Sequence, residues 1–182
     1  KAALDAKKWT LSWLEGTVGS YETFKMAYEV SNESKRKNKK FIDALVRLND
    51  ESMRHIPLFC FSGCESLALK KLPDRVLLIE TFAFMDCENL ALTELPKSLR
   101  HISRSAFEGC TSLALKSIPD SVNFIGAAAF QNCIRISPTK LPPMLTQIRE
   151  MAFRGCTSLA LTELPDGLEE ILASSFENCT NL

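Results

Sequence analysis

The sequence predicts a β-rich solenoid of short parallel strands, coiled right-handed, with a small α or α+β cap at its N-terminus. Three observations predict it. Cys64, Cys87, Cys110, Cys133, Cys156 and Cys179 stand 23 residues apart, and Phe61, Phe84, Phe107, Phe130, Phe153 and Phe176 keep the same interval. Isoleucine recurs in phase at 56, 79, 102, 125, 148 and 171, and proline at 73, 96, 119, 142 and 165. No insertion breaks the phase, so the apolar positions stack into continuous ladders when the units coil on one another.

Taken in chain order, residues 1–49 lack the repeat and are read as a cap or extension, and 50–182 as the solenoid, about five units with partial ones at both ends. A solenoid exposes an apolar cross-section at each end and needs covering there. Phe41, Ala44, Leu45 and Leu48 have helical spacing, and Ser34 suits an N-cap, so roughly 36–48 reads as an amphipathic helix over the first coil. Upstream, Trp9, Leu11 and Trp13 alternate with polar residues, as do Phe24, Met26, Tyr28 and Val30. Period two favours strands, and a helix over 2–14 stays open. The chain starts at Lys1 with no apolar leader after it, which leaves open that a signal segment was removed.

The repeat unit has its own internal order. A period of 23 falls in the leucine-rich class of 20–29 residues and excludes helical-pair repeats of 33 or more. Each unit is expected to hold a short strand in its Leu-Ala-Leu-x-x-Leu stretch, as at Leu90 to Leu95. Proline ends that stretch because it cannot donate to a ladder. A turn such as Pro119-Asp120-Ser121 leads to a second extended segment carrying Val122 and Ile125. The stretch Ala106 to Cys110 then closes the coil. Gly63, Gly109 and Gly155 alternate there with Asp86, Asn132 and Asn178, residue types that tolerate a left-handed backbone, so this column is expected at positive φ.

The composition narrows function. Lys plus Arg and Asp plus Glu are both 22, so the net charge is zero and nothing pulls the whole chain toward nucleic acid. No apolar run has the length of a membrane span. The basic run Lys35, Arg36, Lys37, Lys39 and Lys40 reads as a solvated helix start ahead of an anion-binding site. Cysteines 23 apart do not have the close C-x₂₋₄-C spacing of zinc sites, and parallel side chains on adjacent rungs do not meet disulfide geometry. They read as small buried hydrophobes, with no metal and no cofactor. His55 and His101 share a column two rungs apart, roughly 10 Å, too far for one metal ion. No nucleophile has a patterned basic partner and no phosphate loop appears, so the chain is not expected to be an enzyme.

Binding then falls to the variable outward positions. Lys70, Lys71, Thr93, Glu94, Lys116, Ser117, Thr139, Lys140, Thr162 and Glu163 give a flat face of mixed charge suited to a polypeptide partner. Off-pattern apolar residues, among them Leu77, Phe82, Met144 and Met151, interrupt the polar columns and mark an interface where they cluster. Phe124 stands where other units have His101, Gln147 and Glu170, which makes it the first choice of anchor. At the other end Cys179, Asn181 and Leu182 close the sequence inside what would be another unit. Self-association through that edge, fraying and truncation all stay open.

The pattern Ala-Phe-x-x-Cys-x-x-Leu followed by Leu-Pro-x-x-Leu-x-x-Ile resembles the BspA-like, Treponema-type leucine-rich repeats over roughly 50–182. The resemblance implies an adhesin- or scaffold-like protein that binds a host or extracellular protein, at a periplasmic, surface or secreted location. A structural, self-assembling module with a homo-oligomeric interface is the other expectation. One departure stands out: the family's apolar residue six positions after Cys sits here at five (Leu69, Leu92, Leu115, Leu161), so the strand begins earlier or pleats differently.

Overall fold

The computed structural model describes residues 54–65, 67 and 69–182. The expected cap, its helix and strands, and the basic run all lie outside the described residues. Six strands, two residues each, mark six rungs: β1 (His55–Ile56), β2 (Leu78–Ile79), β3 (His101–Ile102), β4 (Phe124–Ile125), β5 (Gln147–Ile148) and β6 (Glu170–Ile171). Every paired strand is parallel and in register by the repeat, so Ile56 faces Ile79, then Ile102, then Ile125. No helix occurs among the described residues. The chain is a β-rich leucine-rich-repeat solenoid.

The strands are not where the Leu-Ala-Leu stretch led us to expect them. They lie in the second extended segment, on the isoleucine column. The reason is the spacing of inward side chains. Leu90, Leu92 and Leu95 are all buried, so the stretch turns inward at intervals of two and then three and cannot keep a regular pleat. One backbone bond per rung survives there, as from Ala91 N–H to the Leu69 carbonyl at 3.2 Å and from Ala114 to Leu92 at 3.1 Å. The apolar residue at the fifth position is core: Leu69, Leu92 and Leu115 are buried. The departure from the family pattern is absorbed by bending the chain and leaves the core filled.

The centre of the coil is the phenylalanine column. Rings 61, 84, 107, 130, 153 and 176 stack at centroid spacings of 5.2, 5.3, 5.5, 5.5 and 5.7 Å, nearly parallel throughout. Offset stacks of this kind are worth about 0.5–1.5 kcal/mol per pair beyond area burial. Behind the rings runs the cysteine column. Each thiol donates to the phenylalanine carbonyl of the rung before: Cys87 to Phe61 at 2.9 Å, Cys110 to Phe84 at 3.0 Å, Cys133 to Phe107 at 2.9 Å and Cys156 to Phe130 at 3.1 Å. The expected small hydrophobe is therefore also a donor, and it gives a second partner to a buried carbonyl that already accepts the amide of its own rung's cysteine.

The Ala-Phe-x-x-Cys turn carries the densest ladder. Three amides per rung bond forward to the next rung, as Ser105 to Ala127, Phe107 to Ala129 and Gly109 to Gln131. The expected left-handed column is present, with φ of 67° at Gly63, 56° at Asp86, 73° at Gly109 and 59° at Asn132. Its alternation has a cause: a Cβ on Gly155 would lie 2.5 Å from Oδ1 of Asn132, so glycine must sit over each Asx side chain. A second left-handed column escaped the sequence. Phe59, Phe82, Ser105, Ala128, Met151 and Ser174 have φ between 50° and 57° with no glycine among them. Each closes a turn on its neighbours, and the first five spend their own amides on the following rung, which offsets the strain.

Gly126 marks a close approach of a different kind. A Cβ there would stand 2.5 Å from the Arg104 amide nitrogen and 2.7 Å from the Ser103 carbonyl carbon. Both are backbone atoms and cannot step aside. Gly126→Ala is expected to cost about 1–3 kcal/mol by overpacking, although replacing glycine ordinarily stabilises by about 0.4–1 kcal/mol through the unfolded chain. Urea melts settle the sign, and a midpoint that rises would show that rungs three and four separate freely.

Candidate interaction surface

Two rows of outward residues run along the coil, and a turn at each proline separates them, closed by bonds such as Val122 N–H to the Pro119 carbonyl at 2.9 Å. The first row is the mixed-charge face. Lys70, Thr93, Glu94, Lys116, Lys140, Thr162 and Glu163 are all exposed. Lys140 and Glu163 form an ion pair at 2.6 Å across adjacent rungs, and Thr162 Oγ1 donates to the Thr139 carbonyl at 3.2 Å. The carboxylate of Glu163 raises the Lys140 ammonium above its ordinary value. Exposed pairs of this sort contribute little to stability.

The second row is the strand face, and Phe124 is its most apolar point. The ring is 38% exposed although its neighbour Ile125 is buried. The His101 ring meets it edge-on at 6.0 Å, and the Arg149 guanidinium lies over it at 5.5 Å from the centroid. The Arg100 carbonyl accepts from the Asn123 amide at 2.9 Å and the Phe124 amide at 3.4 Å, which fixes the rung beneath. Leu77 is only partly exposed, and its carbonyl accepts from Arg100 and His101. Met144 is 65% exposed at the turn between the rows. The structure thus divides the sequence-chosen residues: Lys70 through Glu163 share one face, Phe124 and Leu77 another. Phe82, also off-pattern, is partly buried and stacks on Phe59 at 4.7 Å. His55 lies 4.0 Å from Glu80, and His101 is committed to Phe124. On the last rung, Cys179 is partly buried and bonds the Phe153 carbonyl at 3.0 Å, whereas Asn181 and Leu182 are exposed.

At this point the strand ladder opens. β1 to β4 form one sheet and β5 with β6 another. In rungs two, three, four and six, three amides bond back to the preceding rung, as Asn123 and Phe124 to Arg100 and Gly126 to Ile102. Their counterparts Thr146, Gln147 and Arg149 have no backbone acceptor among the described residues. The unit leading into β5 differs from the others in sequence. Pro138 and Pro143 stand at positions where neighbouring units have Leu115 and Asp120, and prolines lack the N–H. Met144 replaces the serine that clamps two rungs in the two units before it: Ser98 donates to the Asp74 and Val76 carbonyls at 2.7 and 2.8 Å, and Ser121 to Lys97 and Leu99, both at 2.7 Å. The turn side stays joined, with Phe130 and Phe153 stacked and Cys156 bonded to Phe130. The unpaired amides were legible only in part: the prolines and Met144 mark the unit, but nothing in the sequence shows that the bonds are lost on the strand side alone.

A ladder of parallel rungs, a stacked aromatic spine and outward rows free to vary define a leucine-rich-repeat protein of the interaction type. More particularly, residues 54–182 match the model of the BspA-type leucine-rich repeat region, in 6 copies, and the chain belongs to that family. A leucine-rich repeat protein of Treponema pallidum is similar at 31% identity and a TM-score of 0.52, covering 70% of this chain and 71% of its own. A leucine-rich repeat protein of Bacteroides ovatus is similar at 29% identity and a TM-score of 0.52, covering 70% of this chain. This chain spans only 39% of the length of that Bacteroides protein. No curated protein sequence matches the chain.

Proposed function

We propose that the chain recognises another protein through its strand face, in an adhesin- or scaffold-like role, with Phe124 as the anchoring side chain. The observation that carries this is an exposed phenylalanine held in place from two sides on a regular surface. A rigid aromatic costs little entropy to bury, and interface energy concentrates in such residues. The mixed-charge row from Lys70 to Glu163 supplies a second, polar contact line for a partner that reaches round the proline turn. Membership of the BspA-type family supports a surface or extracellular setting.

Phe124→Ala is expected to leave the fold intact, since exposed substitutions usually stay within about 0.5 kcal/mol, and to weaken partner capture by about tenfold or more. Pull-downs with wild type and variant, paired with circular dichroism and a thermal melt, read both quantities. Equal capture by a folded variant would remove Phe124 from the interface. A loss of far-UV signal would make it part of the core. Mass measurement adds the remaining distinction: a wild-type oligomer that dissociates on the same substitution makes the partner a second copy of the chain.

A further inference from the structure

We propose that the face formed by β3, β4 and β5 receives an acidic peptide segment that carries an apolar side chain, a reading that rests on the recognition surface proposed above and specifies its partner. Three arginines stand on the rungs that flank Phe124 on a chain of zero net charge, Arg100 and Arg104 on rung three and Arg149 on rung five. Arg149 lies over the ring and His101 against its edge. The backbone carbonyl of Arg100 accepts the Phe124 amide, and the backbone amide of Arg104 lies against Gly126, just past β4, so both arginines are held on the adjoining rung. Arg100, His101 and Arg104 are exposed, and none has an ion-pair partner among the described residues. Three cations elsewhere on the solenoid are paired: Lys71 with Asp74 at 3.0 Å, Lys140 with Glu163 at 2.6 Å and Arg154 with Glu177 at 3.1 Å.

The open ladder adds to the same field. The amides of Thr146, Gln147 and Arg149 lack backbone acceptors at the rung where the Arg149 side chain reaches over Phe124. Unpaired amides and guanidinium groups both seek anionic oxygen, and arginine matches a carboxylate with two parallel bonds. Acidic residues stand on rung two (Glu80), on rung five (Glu150) and on rung six (Glu169 and Glu170), so an acidic segment is drawn to rungs three and four.

The test uses a short labelled peptide of Glu and Ser with one central Leu, beside the same peptide with every Glu replaced by Gln. Fluorescence polarisation is read for wild type, the double variant Arg100→Gln/Arg104→Gln and Phe124→Ala. The acidic peptide is expected to bind wild type at least about tenfold more tightly than the Gln peptide, and to lose that advantage in the arginine variant and in high salt. Phe124→Ala is expected to weaken both peptides. Equal binding of the two peptides, still dependent on Phe124, would overturn the acidic partner and leave the recognition surface standing. An acidic preference untouched by Phe124→Ala would overturn the anchor instead. Full displacement by inorganic phosphate, or no binding of either peptide, also refutes the peptide site.

Discussion

Raising the pH one unit above the ordinary thiol range is expected to remove about 5 kcal/mol of folding stability, the largest effect of any condition we predict. Burial raises the thiols of Cys87, Cys110, Cys133 and Cys156, first by desolvation and then by the neighbouring thiol of the column. All four are inaccessible to solvent, and each holds its proton in a bond to a phenylalanine carbonyl. In the unfolded chain they ionise near pH 8.5, the usual value for cysteine. Above that pH the unfolded state binds fewer protons than the folded one, so stability falls as pH rises, by about 1.4 kcal/mol per unit for each thiol. Below that pH both states are protonated, and the thiols impose no slope. Four such groups remove an amount comparable with the whole stability of an ordinary domain. Denaturant melts on either side of pH 8.5 measure it, and the variant Cys133→Ala serves as control. The variant is expected to be less stable at neutral pH, with an alkaline slope about a quarter smaller. A slope that Cys133→Ala leaves unchanged would mean the thiols titrate alike in both states.

Phe130→Ala is expected to cost about 3–5 kcal/mol, the range for deleting a buried aromatic. Phe130 has zero exposure and stacks on both sides at 5.5 Å. Its carbonyl also accepts the Cys156 thiol, so a shifted backbone would disturb the next rung. In a linear array each unit is stabilised by its two neighbours, and a gap in the middle uncouples both sides. Phe176, only partly buried with one ring beside it, gives the comparison: Phe176→Ala is expected to lose clearly less. Equal losses at the two positions in urea melts would show that the column stabilises each rung separately and not as a stack.

The Gly126 result and the Phe130 result probe different parts of one solenoid. The first tests how closely rungs three and four approach on the strand side. The second tests the spine that continues where the strand ladder stops.

How much was legible follows from what a repeat can and cannot encode. A side chain that recurs every 23 residues must meet its own copy, so Phe107, Phe130 and Phe153 were bound to stack, and they do. The Gly and Asx column announced its left-handed backbone because those residue types tolerate it. The parallel column at Phe82, Ala128 and Met151 gave no such sign, since its backbone is imposed by the turn and by bonds to the next rung. Phe124 was visible as the one aromatic hydrocarbon in a column of His55, Leu78, His101, Gln147 and Glu170. The Arg149 guanidinium over its ring was not, because the two residues stand at different positions of the unit and meet only through stacking.

By itself the sequence determined the coil: its period, its register, the residues that line its core and the family to which it belongs. Periodicity is a statement about which side chains share a column, and burial follows from it. Tertiary structure alone decided which segment pairs as strand, which buried thiol bonds which carbonyl, and where the ladder parts between β4 and β5. Those outcomes depend on distances between backbones of different rungs, and single-residue identity carries no record of such distances until the rungs are packed.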